Sequence, residues 1–204
     1  MRGISSWIVA LAITGLTANA TAGEAELARV AAAMKHSFEE KRQATMDRLD
    51  QDETQALCTA YAETKLPPAI AQKIAATNRA TLEYPAAGQY LGDWKRGEQV
   101  AQTGTGLQYS DDPSKPAGGN CYACHELSGT ELAFGTIGPS LRHYGKLRGT
   151  SSLVLEGAWG KLYNSNAQMP CSNMPRFGHR RILTEQQLKD VMAYLFDAAS
   201  PVNQ

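Results

Sequence analysis

Cys121-Tyr122-Ala123-Cys124-His125 is the stretch on which the reading of this chain turns. Two thiols three residues apart, followed at once by a histidine, form the C-x-x-C-H pattern of covalent c-type haem attachment. The cysteines are the thioether anchors and His125 is the proximal iron ligand. Residues i and i+3 share one side of a helical turn, which presents both thiols to one macrocycle. Gly118, Gly119 and Asn120 stand just before the motif, so it is expected to open a short helix with Asn120 as N-cap. A structural zinc site or a dithiol redox pair is the competing reading of C-x-x-C. Neither a second such pair nor an H-x-x-x-H follows, and haem attachment is what calls for the histidine beside the second thiol. One motif implies one haem c.

Outward from the motif, the N-terminus gives an address. Arg2 is followed by an apolar run from Trp7 to Leu16 and by the small residues Ala20-Thr21-Ala22. Residues 1–22 therefore read as a signal peptide, and the run is too short to span a bilayer comfortably. The mature chain is expected in the periplasm, without a membrane span after processing. Across the whole sequence 20 Lys and Arg balance 20 Asp and Glu, giving a formal net charge of zero. Such a chain lacks the basic excess of a nucleic-acid binder.

The remainder is helical in pattern, and the fold class is all-α. Residues 23–89 read as a helical extension. Leu27, Val30, Ala31, Met34, Phe38, Met46 and Leu49 recur near helical spacing, with one break allowed. Pro67-Pro68 stops this run, and a helix resumes over 69–82 before Pro85 and Gly88. The mixed charges Glu39, Glu40, Lys41 and Arg42 read as a solvated face. From Tyr90 onward, Asp93 is expected to cap a helix carrying Trp94, Gly97, Val100 and Ala101. The last helix has a capping box, Thr184 with Gln187, and an apolar stripe of Leu188, Val191, Met192, Leu195 and Phe196, with Pro201 to end it. These two helices are expected to cross with Tyr194 against Gly97.

The distal side of the iron calls for a second ligand. Met169-Pro170 and Met174-Pro175 both place a methionine before proline, where the backbone is pushed to extended conformation and the thioether projects from a loop. We read Met174 as the ligand and Met169 as the alternative; His36, His143, His179 and Cys171 compete. The basic cluster Arg176, His179, Arg180 and Arg181 reads first as a solvated turn. Its functional alternative is propionate pairing and docking of an acidic partner. With the haem pair set aside, Cys58 and Cys171 are the remaining two of four cysteines. In an oxidising compartment they are expected to form a disulfide tying the extension to the Met174 loop.

Four segments carry a resemblance to a known family: CYACH; GTIGPSLRHYG from Gly135 to Gly145; NMPRFG from Asn173 to Gly178; and LTEQQLKDVMAYL from Leu183 to Leu195. Together they resemble a class I cytochrome c domain and, in closer detail, SoxX, the monohaem subunit of the SoxAX cytochrome of bacterial sulfur oxidation. The resemblance spans about residues 90–199 and implies a cytochrome c domain at 90–204. It implies Cys121 and Cys124 as haem anchors, His125 and Met174 as axial ligands, and Pro139 as the residue whose carbonyl orients the proximal imidazole. It implies partners as well: a SoxA-like haem subunit, a sulfur-carrier protein and a soluble cytochrome c that accepts electrons. In that family the heterodimer, an L-cysteine S-thiosulfotransferase, links thiosulfate oxidatively to a carrier cysteine, with the chemistry assigned to the partner subunit's haem. This chain is then the electron-transfer subunit, with no catalytic residue of its own. A self-standing periplasmic carrier and a haem peroxidase remain as alternatives.

Overall fold

The structure is a computed structural model that describes residues 16–204, with side chains from Ala25 onward. Most of the expected signal segment, residues 1–22, lies outside the described residues. The chain divides into two compact units, residues 1–41 with 45–50 and residues 42–44 with 51–204. All regular elements among the described residues are helical and no strand forms. No helix among them is long and apolar enough to cross a membrane.

In the first unit α1, Leu16–Ser37, is followed by a 3-10 turn at Met46–Leu49. Lys35 pairs with Asp50 at 2.5 Å. The apolar stripe Leu27, Val30, Met34 and Phe38 is exposed along its length. The helical periodicity read over Leu27 to Leu49 with one break thus resolves into α1 and the short turn, and a separate helix follows in the second unit.

That helix, α2, Glu53–Ala60, opens with a capping box in which Asp52 and Gln55 satisfy each other's backbone N–H groups. After Pro67, the extended N-cap, comes α3, Pro68–Arg79, in which Pro68 takes the first helical position that its fixed φ suits. Then follow α4, Trp94–Gln102, α5, Tyr144–Arg148, α6, Ser152–Tyr163, and α7, Glu185–Phe196. Asp93 caps α4 by accepting from the Lys95 N–H at 2.9 Å, and Thr184 with Gln187 forms the expected box on α7. The helix does not run on to Pro201. It stops at Phe196, and Pro201 instead opens a 3-10 turn, Pro201–Asn203, at a position that needs no N–H.

Crossing of α4 and α7 organises the core. A Cβ on Gly97 would lie 2.0 Å from the Asp190 carbonyl oxygen and 2.8 Å from Tyr194 Cβ, so the helices touch where no side chain fits between them. The Asp190 carboxylate is buried at the same place. It accepts from Arg96 Nε at 2.9 Å and Nη2 at 3.1 Å, from the Asp93 N–H at 2.8 Å and from Gln186 Nε2 at 2.9 Å. Burial alone would raise this carboxyl, but those donors outweigh it and hold it below its ordinary value of 3.8. Around the crossing pack Leu188, Val191, Met192, Leu195 and Phe196, all buried, with Trp159 of α6. Trp159 meets the ring of Tyr90 edge-on at 5.8 Å between centroids.

A second, polar spine joins α2 and α3 to the loop after α6. Asn78 Nδ2 donates to Thr54 Oγ1 at 2.8 Å and to the Ile74 carbonyl at 2.8 Å. Asn164 Nδ2 donates to Asn78 Oδ1 at 2.9 Å and to Thr81 Oγ1 at 2.9 Å. Next in sequence, the Ser165 hydroxyl donates to the Met174 carbonyl at 2.6 Å. Thr54, Asn78, Asn164 and Ser165 are all buried, so each bond replaces water that these groups have lost.

Two outcomes follow from these contacts. Asn78→Ala leaves buried partners unsatisfied and is expected to destabilise the protein by about 1–3 kcal/mol, read as a lower denaturation midpoint with an unchanged m-value. Because the Asp190 carboxyl binds its proton less tightly when folded than when unfolded, its contribution is full above about pH 5 and fades as pH falls through and below 3.8. Asp190→Asn is therefore expected to lower the thermal midpoint at pH 7 and to let the wild-type and variant curves converge in acid.

Candidate functional site

The C-x-x-C-H motif hangs from the C-terminal end of α4. The N–H groups of Gly119 and Asn120 donate to the carbonyls of Val100 at 2.8 Å and Thr103 at 2.9 Å. Asn120 is left-handed, with φ 44° and ψ 47°, and its side chain caps nothing. The expected N-cap is thus corrected: Asn120 reverses the chain, a role for which its short amide tolerates positive φ. The expected short helix is a single 3-10 turn, Cys121–Ala123. The Cys121 carbonyl still accepts from the N–H groups of both Cys124 at 3.1 Å and His125 at 2.9 Å, which folds the three ligating residues onto one turn. Burial pushes the Cys121 thiol up to about 12. Tyr122 points inward, its hydroxyl 2.5 Å from that of Tyr194 on α7.

The loop from Gly135 to Leu141 wraps this turn. Its N–H groups at Gly135, Gly138 and Leu141 each donate at 2.8 Å to the carbonyls of Tyr122, Cys124 and Glu126. The loop thereby brings the Pro139 carbonyl to 2.7 Å from His125 Nδ1. A carbonyl only accepts, so Nδ1 carries the proton and Nε2 keeps its lone pair for a metal. A Cβ on Gly138 would sit 2.2 Å from His125 Cε1, so the imidazole lies flat against bare backbone. Phe134 and Ile137 on the same loop are 42% and 76% exposed, an apolar rim beside the motif. An oriented imidazole, two thiols on one turn and an apolar rim fit a covalently held haem, with Cys121 and Cys124 as its anchors and His125 as ligand.

The two candidate methionines part company. Met169 is 59% exposed, whereas Met174 packs against the hydrophobic core. Both backbone polar groups of Met174 are used, its N–H donating to Ser172 Oγ at 3.2 Å and its carbonyl accepting from Ser165. Cys171 is bonded to Cys58, with Cα atoms 5.4 Å apart, which removes it as a thiolate ligand. His36 lies on the exposed α1. His143 is left-handed at φ 57°, and its Nδ1 is buried without a partner. The His179 imidazole titrates lower than usual, first because it is buried and then because Arg176 and Arg180 stand near.

The basic cluster is not the free turn expected from its composition. Arg176 is only 8% exposed and pairs with Asp52 at 2.6 Å; Arg180 binds the same carboxylate and also Gln55 Oε1 at 3.2 Å. Burial would raise the Asp52 carboxyl, but the Gln55 N–H and the two guanidinium groups hold it lower. Asp52 escaped the sequence reading. Its spacing to Gln55 marks a helix start, but nothing local shows that it faces an arginine 124 positions away.

Residues 95–198 match the cytochrome c family. The chain belongs to the cytochrome c family. This membership carries covalently bound haem c, electron transfer and an extracytoplasmic setting. The cytochrome c is also 41% identical over 128 residues to an uncharacterized lipoprotein of Aquifex aeolicus (strain VF5). That alignment covers 61% of the chain and 59% of the relative, so the chain spans less than two thirds of the relative's length.

Gly138→Ala forces its new methyl into the His125 ring. Haem staining per unit of protein is expected to fall well below wild type in this variant, and Ile137→Ala, at an exposed position on the same loop, is expected to retain it.

Proposed function

We propose that this cytochrome c is the periplasmic electron-transfer subunit of a SoxAX-type heterodimer. One observation carries the electron-transfer half of this reading: Met174, the proposed distal ligand, is seated against the core on a loop held from several sides. With His125 proximal and Met174 distal, no open coordination position is left for substrate, a ligand set suited to exchanging electrons rather than atoms. Bound haem c supplies a one-electron couple. The chain's own residues fix the His125 tautomer and hold the thioether.

The SoxAX half rests on the resemblance of the CYACH, GTIGPSLRHYG, NMPRFG and LTEQQLKDVMAYL segments to SoxX. In that setting a SoxA-like haem subunit joins thiosulfate to the thiolate of a sulfur-carrier protein. The two electrons released would pass by way of this chain to a soluble cytochrome c, with haem c held by Cys121, Cys124 and His125 supplying the one-electron couple. The chain then takes part in an L-cysteine S-thiosulfotransferase without being catalytic alone. The lipoprotein description of the Aquifex relative agrees with a periplasmic address.

Gentle, low-salt purification from the native periplasm, followed by a haem-stained denaturing gel, tests the assignment. A second haem-bearing polypeptide in constant ratio to this chain is expected. This chain as the sole haem band would instead mark a self-standing carrier.

A further inference from the structure

We propose that α2 is a clamp on the distal ligand, with Asp52, Gln55 and Cys58 as positioning residues that set how firmly Met174 is held at the iron. The inference rests on the reading of Met174 as that ligand.

The three residues recur every third position, so they lie along one side of the first turns of α2. Their bonds fall on both flanks of Met174. Cys58 is joined to Cys171, three residues before it. Asp52 binds Arg176, two residues after it, and also Arg180, which Gln55 binds in turn. The methionine thus sits on a short span of chain fixed at each end to the same helix. Its own backbone bonds reach Ser172 and Ser165; α2 adds an attachment on each flank. That helix is itself immobilised from behind by the buried Thr54–Asn78 bond.

The ion pair at one end is not a solvated surface contact. Arg176 is 8% exposed, and a guanidinium at that depth needs its carboxylate to stay there. Residues Gln55, Cys58, Cys171, Met174, Arg176 and Arg180 line one cleft of about 460 Å³, so loosening either end gives the loop room to move. A thioether is a neutral ligand without charge to hold it on the metal. The fraction of time it is bound depends on how completely its loop is held in the binding conformation, and a competing ligand reads that fraction directly.

Imidazole titration of the full-length, haem-loaded ferric protein, followed by absorbance together with the methionine-to-iron charge-transfer band, tests the clamp. Asp52→Asn keeps a good N-cap for α2 while removing the charge that binds both arginines. Cys58→Ser with Cys171→Ser removes the cross-link. Each is expected to tighten imidazole binding about tenfold, and the combination further, as the competent fraction of the Met174 loop falls. Met174→Ala is expected to abolish the band; if the band persists, Met174 is not the ligand and the reading beneath this inference fails. If Met174→Ala removes the band but the α2 variants lose only thermal stability, with imidazole affinity unchanged, α2 is a structural brace and the clamp is overturned. Should the double serine variant not accumulate as a haem protein, Asp52→Asn and Arg180→Gln carry the same readout.

Discussion

The close approach of α4 and α7 at Gly97 and Asp190 is the constraint from which the rest of the haem-bearing unit is built. Because Gly97 brings no side chain, the two backbones meet directly, and the buried Asp190 carboxylate gathers donors from Arg96, Asp93 and Gln186 at the same point. One end of α4 then presents the backbone carbonyls that hold the haem motif. From α7, Tyr194 reaches the hydroxyl of Tyr122 inside that motif. A shift at the crossing would be felt at the proximal turn through rigid contacts alone.

The His125 turn and the Met174 loop are held by different physics. Proximally, short-range backbone bonds across the 135–141 loop fix the imidazole, and a bare glycine backbone supplies the flat surface behind it. The loop that carries Met174 depends on contacts remote in sequence: a buried run of amides and hydroxyls, a disulfide and an ion pair. Buried polar groups of this kind cost more than apolar packing when left unpaired, and in return they accept a single geometry.

Local signals made the proximal half legible in the sequence. The C-x-x-C-H motif, the Thr184–Gln187 capping box and the apolar stripe of α7 act within a few residues of one another, and the structure places each where its pattern implied. Asn120 misled because a residue suited to N-capping is equally suited to left-handed backbone, and the chain reversal from α4 decided between them. The Met174 loop was read less completely. Pairing Cys58 with Cys171 followed from counting cysteines, but the Asp52 contacts and the Thr54–Asn78–Asn164 run link residues whose types carry no mark of their partners. The arginines after Met174 looked solvated because charge at a turn usually is; a single acidic residue far upstream reversed that for Arg176, while Arg180 and Arg181 stay exposed.

The buried run from Thr54 to Met174 has a bearing on where the polypeptide can be cut. Trp159 Nε1 donates to the Glu83 carbonyl at 2.7 Å, Asn164 depends on Asn78 and Thr81, Arg176 on Asp52, and Cys171 on Cys58. A fragment beginning at Tyr90 would retain every residue assigned to the haem yet sever all five of these bonds, leaving an indole, an amide, a guanidinium and a thiol without the partners they have here. The piece that keeps these bonds begins ahead of Asp52, and residues 51–89, which read along the chain as part of an appendage, belong to the same compact unit as the haem motif.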